Sequence, residues 1–141
     1  MKSTATLLTA FLLSLTAFSQ PAIEWQKSLG GSENDWGYSI DQTTDGGYVV
    51  AGKTESDDGD ITNNFGFTDF WVVKLSSDGI VQWQKSLGGS SSDEAHSIQQ
   101  TTDGGYIIAG YTVSSDGDVT VSLGGADFWI VKLDETGAVE W

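Results

Sequence analysis

Residues 43–52 read TTDGGYVVAG, and residues 101–110 read TTDGGYIIAG. The likeness extends outward from there. Trp25, Trp83 and Trp141 fall 58 residues apart, and laying residues 25–82 on residues 83–140 needs no gap and matches 35 of 58 positions. The chain is a tandem repeat, and self-similarity at that period points to a propeller, a solenoid or an array.

Each unit reads as four strands. Gly-Gly-Ser at 30–32 and 88–90 opens it as a loop, and a short strand follows at 36–43, with its counterpart at 94–101. Thr-Thr-Asp-Gly-Gly then makes a hairpin turn, since Asp-Gly tolerates the positive φ angles of tight reversals. The second strand, 48–54 and again 106–112, is apolar at successive positions, as is the third, DFWVVKL at 69–75 and DFWIVKL at 127–133. Runs of that kind belong to strands covered on both faces. A second turn closes on Gly79 and Gly137, the one residue kept where SSDG becomes DETG. The fourth strand, 80–87, alternates apolar and polar residues and so has one wet face. A four-stranded meander with doubly covered inner strands and a wet outermost strand is the pattern of a radial sheet packed between two others. The expected fold class is all-β, tandem antiparallel meanders forming the blades of an incomplete β-propeller of about two blades. A lone fourth strand at 23–29 precedes the first unit, and Trp141 falls inside the fourth strand of the second. Because two blades do not close a ring, the sequence is expected to be the N-terminal part of a longer one, or several chains are expected to associate.

The chain has 141 residues and no cysteine, which excludes a disulfide scaffold and a thiolate metal site. Its net charge is −14 with no arginine. Duplex DNA and anionic membranes bind through clustered Lys and Arg, so nucleic acid is not an expected partner. Cations, proteins and neutral glycans remain. At the N-terminus, Met1-Lys2, an apolar run from Ala5 to Phe18, and Ala17-Phe18-Ser19 before Gln20 have the layout of a secretory signal peptide over residues 1–19. The apolar run is too short to span a bilayer. The mature chain, the repeat region from residue 20 to 141, is therefore expected to be extracellular or at the cell surface, with no membrane insertion after cleavage.

The segments DFWVVKLSSDGIVQW (69–83) and DFWIVKLDETGAVEW (127–141) resemble the blade signature of quinoprotein-type propellers. That resemblance implies that Trp83 and Trp141, with Trp25 before them, dock between adjacent blades. It carries over no cofactor, because the quinone-binding Arg and Cys have no counterpart in this sequence. More broadly, residues 23–141 resemble secreted tandem-repeat proteins of Bacteroidetes-type bacteria, built from W-x-K-x-L-G-G, D-G-G-Y-x-x-A-G and D-x-W-x-x-K-L blocks. Such proteins are often substrates of type IX secretion.

Candidate chemistry is sparse. Asp58-Gly59-Asp60 and Asp116-Gly117-Asp118, with hydroxyls nearby, offer the hard oxygen ligands that Ca²⁺ takes, yet the spacing is not that of an EF-hand and the same residues build ordinary Asx turns. His96, the single histidine, has no evident Ser or Cys partner and is not read as catalytic. Asp45, Asp58, Asp60 and Asp69 all recur in the second unit, which suits a structural job, since an active site is built once. The positions that differ between units, Trp36, Tyr38 and Lys53 against Glu94, His96 and Tyr111, are where a unique binding surface would arise. Trp36 and Tyr38 would stack on a sugar ring, or else line an inner rim or pack on the next blade. The expected function is a secreted, non-enzymatic scaffold that binds protein or glycan. The alternative is an accessory or catalytic module of a carbohydrate-active enzyme.

Overall fold

The computed structural model describes residues 21–141. Residues 1–19, read as a signal peptide, lie outside the described part.

Seven strands form two antiparallel sheets, and no helix occurs among the described residues. The first sheet holds β1 (Asp35–Gln42), β2 (Tyr48–Thr54), β3 (Asp69–Leu75) and β4 (Val81–Leu87) in sequential order. The second holds β5 (Asp93–Gln100), β6 (Tyr106–Thr112) and β7 (Asp127–Leu133), again in order. Registers agree position for position: Val50 pairs with Val73 and Ile108 with Val131, while Ile40 pairs with Val50 and Ile98 with Ile108. The molecule is all-β, two meanders packed face to face as successive blades of an incomplete propeller-like fold.

The hairpin turns behave as their residues dictate. Gly46 and Gly79 have φ of +83° and +75°, and Gly104 and Gly137 take +89° and +82°, a region that glycine enters without steric cost. Asp45 accepts from the Gly47 amide and receives the Lys74 ammonium at 2.9 Å. Lys74 is buried on β3, and its remaining donors go to the Leu75 carbonyl and Gln82 Oε1. Asp103 and Lys132 repeat the pair at 3.0 Å in the second blade. Hydrogen bonds donated by the Thr43 hydroxyl and the Lys74 ammonium hold the Asp45 carboxyl well below its usual range.

Alternation along each strand divides the core in two. From the first blade, Val49, Ala51, Phe70, Val72 and Leu87 face the second blade, meeting Ala95, Ile98, Tyr106, Ile108, Val131 and Leu133. Phe70 lies 4.6 Å from the Trp129 ring, above Gly110, whose missing side chain leaves it room. Trp71, Val73 and Leu75 point the other way, onto Leu29, Tyr48 and Val50. All seven residues of β3 are buried, as the apolar run requires.

The same pattern is not covered everywhere. On β7, Phe128 and Ile130 face away from the first blade and are exposed, Phe128 to 94%. Burial on both faces demands a neighbour on each side, and among the described residues the second blade has one on one side only.

The fourth-strand expectations need correction at both ends. Residues 23–29 form no strand, because no described strand lies beside them to complete a ladder. Trp25 nonetheless sits edge-on to Tyr48 at 5.8 Å and against Gly79, as Trp83 sits edge-on to Tyr106 at 5.5 Å and against Gly137. The two tryptophans thus dock on successive blades in the same way. At the other end, the fourth strand of the second blade reduces to a bridge between Leu133 and Val139 and two backbone hydrogen bonds linking Lys132 to Glu140 and Trp141.

Candidate functional site

β1 and β5, the first strands of the two blades, lie beside each other, and each carries a bulge at the same place. The register slips between Gly37 and Ser39 on β1 and between Ala95 and Ser97 on β5, leaving Tyr38 and His96 as the extra residues. A bulge turns its side chain out of the normal alternation. Here it brings two side chains 58 positions apart onto each other: the Tyr38 and His96 rings stack at 5.1 Å, nearly parallel, with an interplanar angle of 8°.

The other non-recurring residues gather around that stack. Tyr111 on β6 lies 5.8 Å from His96, its ring inclined by 27°. Lys53 on β2 donates to Glu94 Oε1 at 2.9 Å, lies 3.6 Å from Glu55, and sits 4.4 Å above the Trp36 ring centroid. His96 Nε2 is 3.9 Å from the other oxygen of Glu94. Trp36, Tyr38, Lys53, Glu94, His96 and Tyr111 therefore form one cluster across β1, β2, β5 and β6. Trp36 and Tyr38 keep about two-fifths of their surface open to solvent, while Lys53 and Glu94 are largely covered.

The electrostatics follow from that arrangement. Burial works against the Lys53 charge, but the hydrogen bond and charge of Glu94 outweigh it and raise the ammonium above its ordinary value. Burial also raises the Tyr111 phenol, and its hydrogen bond to the Glu94 carboxylate adds to the effect. Glu94 thus joins Lys53, His96 and Tyr111. What is left outward is aromatic: ring faces and edges, suited to apolar stacking and to C–H groups of a ligand, bordered by fixed polar groups.

The Asp-rich loops do a different job. Asp58 accepts from the Ser32 amide at 2.7 Å and Asp60 from the Gly30 amide at 3.1 Å; Asp116 and Asp118 accept from Ser90 at 2.7 Å and Gly88 at 3.2 Å. Ser56 and Ser114 hydroxyls take the amides of Glu33 and Ser91, both at 3.0 Å. Each loop thereby grips the Gly-Gly-Ser segment that leads into its blade. Among the described residues, no three His, Asp or Glu side chains gather in a way that would hold a metal ion.

Sequence reasoning picked out the six residues of the cluster but not their contacts, and it missed one feature altogether. Asp69 and Asp93, at the starts of β3 and β5, are both fully buried at the junction between blades, each with one carboxylate oxygen that has no hydrogen-bond partner. Burial, together with the charges of Asp93 and Asp118 nearby, pushes Asp69 up to about 6, against the pull of its hydrogen bond from the Phe65 amide. Recurrence at 127 and 35 marks these aspartates as structural, and only the packing of the blades reveals that they meet. Compared with known proteins, the chain matches no protein-family model and no curated protein.

Proposed function

We propose that the protein is a secreted or cell-surface repeat protein, released from a signal peptide at residues 1–19, whose blades act as a non-enzymatic scaffold for binding a glycan or a protein. One observation carries this reading: the residues that break the repeat converge on a single surface, where Trp36, Tyr38, His96 and Tyr111 surround the Lys53–Glu94 pair. Recurring residues make the frame, and non-recurring ones make a place where a ligand is distinguished. Exposed aromatic rings favour a sugar face or an apolar protein side chain, and the acidity of the molecule disfavours nucleic acid. Glycoside hydrolysis needs one carboxyl to give a proton and a second to act across the sugar. Glu94 of the cluster and the neighbouring Glu55 instead share the Lys53 ammonium, which supports binding over turnover.

The test is a glycan array probed with the wild-type protein and with Trp36→Ala and Tyr38→Ala. Binding that falls about five- to thirtyfold in both variants, with their melting temperatures within a few degrees of wild type, is the expected result, since removing one well-placed aromatic contact is worth on the order of 1–2 kcal/mol. Binding that survives both substitutions, or hydrolysis of the arrayed glycans, refutes it. N-terminal sequencing of the protein in culture medium tests secretion, with Gln20 as the expected first residue.

A further inference from the structure

Resting on the reading of the aromatic cluster as a recognition surface, we propose that the groove beside it, between the two blades, receives a basic segment of a partner protein. An arginine or lysine side chain of that segment lies against Glu33 and Glu55, and an apolar neighbour rests on Phe67. The first blade supplies Glu33, Lys53 and Glu55 to the groove, the loop between β2 and β3 supplies Phe67 and Thr68, and the second blade supplies Glu94. Both walls thus belong to the junction that the two blades already form.

Every side chain that lines this groove departs from the repeat. Glu33 corresponds to Ser91, Lys53 to Tyr111, Glu55 to Val113, Phe67 to Gly125 and Thr68 to Ala126, while Glu94 corresponds to Trp36. Although 35 of 58 positions match between the units, the residues at this one place do not. A single recognition site in a repeated frame requires that.

The charges in the groove are unevenly matched. Lys53 holds Glu94 at 2.9 Å but stands 3.6 Å from one oxygen of Glu55, whose other oxygen accepts from Asn34 Nδ2 at 3.1 Å. Glu33 is exposed and has no ion pair among the described residues. Hydrogen bonds set Glu33 and Glu55 side by side: the Glu55 amide donates to the Asn34 carbonyl and the Glu33 amide to Ser56 Oγ, both at 3.0 Å. Three carboxylates therefore meet one ammonium, in a molecule of net charge −14, and the field in the groove attracts a second cation. A guanidinium is planar and donates parallel N–H groups, so it spans neighbouring carboxylates where a sugar hydroxyl reaches only one.

The rim supplies what a protein segment needs beside the charge. Phe67 is 77% exposed and Phe65 51%, on a loop tied to the second blade by a hydrogen bond from the Phe67 amide to the Ser91 carbonyl at 3.1 Å. Across the groove, Glu94 stands 3.9 Å from His96 and so leads to the ring stack with Tyr38. Aromatic rings held next to acidic groups match a segment that interleaves basic and apolar residues. A chain of amino sugars brings the cation without the apolar side chain, and leaves Phe67 bare.

The experiment selects peptides from a randomised phage-displayed dodecapeptide library on the protein obtained by expressing the full chain, then measures the leading peptide, fluorescein-labelled, by anisotropy. Peptides that carry Arg or Lys beside an apolar residue are expected to be enriched. Glu33→Gln, Glu55→Gln and Phe67→Ala should each weaken binding about three- to tenfold, with far-UV circular dichroism unchanged. Asp78→Asn and Glu135→Gln remove the same charge as the two glutamate variants, from turns at the opposite end of the strands, and should weaken binding less than about twofold. Equal losses in the two groups overturn the proposal, as does a selection that enriches no basic peptide. A glucosamine hexamer that binds through Glu33 and Glu55 while no peptide does overturns it too, in favour of a cationic glycan. Should any of these occur while arrayed glycans still bind through Trp36 and Tyr38, the basic partner falls and the wider reading of the surface stands.

Discussion

Phe70 and Phe128 hold the same place in two blades and ought to differ completely in what they contribute. Phe70 is 0% exposed, its ring 4.6 Å from Trp129 and lodged over Gly110. Replacing it with alanine removes a fully buried ring and leaves a void between two sheets that cannot close up, because both are held by their own ladders. Phe→Ala at such a site costs about 3–5 kcal/mol, of which roughly 1 kcal/mol is the aromatic pair. Phe128 is 94% exposed, so truncating it removes almost no buried surface and should change single-chain stability by no more than about 0.5 kcal/mol. Urea unfolding followed by tryptophan fluorescence, at protein concentrations low enough to keep chains apart, reads both numbers. If Phe70→Ala leaves the chain unfolded before urea is added, Phe70→Leu gives a smaller, measurable loss of about 1–2 kcal/mol. A Phe70→Ala variant within 1 kcal/mol of wild type, or a Phe128→Ala variant equally destabilised, would mean that the two blades do not share one core.

Two further predictions concern the junction and the turns. Asp69 has a folded-state value near 6, above the ordinary 3.8, so the folded chain holds that proton more tightly than the unfolded chain. Its contribution is most favourable below pH 4, declines as pH rises through 6, and is absent above. Asp69→Asn should therefore stabilise the protein relative to wild type at pH 8, by about 3 kcal/mol at most, and hardly at pH 4; paired urea curves at the two pH values check this, and an equal effect at both refutes it. Gly137→Ala forces a left-handed φ on alanine and drives its Cβ to 3.0 Å from the Trp83 ring, while Gly46→Ala meets the same backbone strain with nothing within 4 Å. The first should cost clearly more than the roughly 1–2 kcal/mol of the second, and it alone should shift tryptophan emission; equal losses and unchanged spectra would show that Trp83 is not docked on that glycine.

Much of the fold was legible because its signals are local. Asp-Gly turns, the doubly apolar runs of β2 and β3, and the period of 58 each follow from a few neighbouring residues, and the registers came out as that period requires. Residues 23–29 misled for the same reason. Their sequence is that of a strand, but a strand exists only beside a partner, and local pattern carries no information about whether the partner is present. The candidate site divides along the same line. That Trp36, Tyr38, Lys53, Glu94, His96 and Tyr111 break the repeat could be read directly; that Tyr38 meets His96 depends on two bulges and on β1 lying beside β5. Asp69 and Asp93 were invisible as a pair because each looks like a routine strand-opening aspartate until the sheets are stacked.

The carboxylates that grip the Gly-Gly-Ser segments bear on how such a molecule grows. Asp116 and Asp118 belong to the second blade yet hold the amides of Ser90 and Gly88, where the chain leaves the first. The inclination of one blade to the next is thus encoded within each unit by its own side chains, and no separate hinge has to be tuned. A gene duplication that copies a whole unit copies its clamp as well, so an added blade arrives already angled. Length can then drift in either direction while the geometry of every junction stays the same.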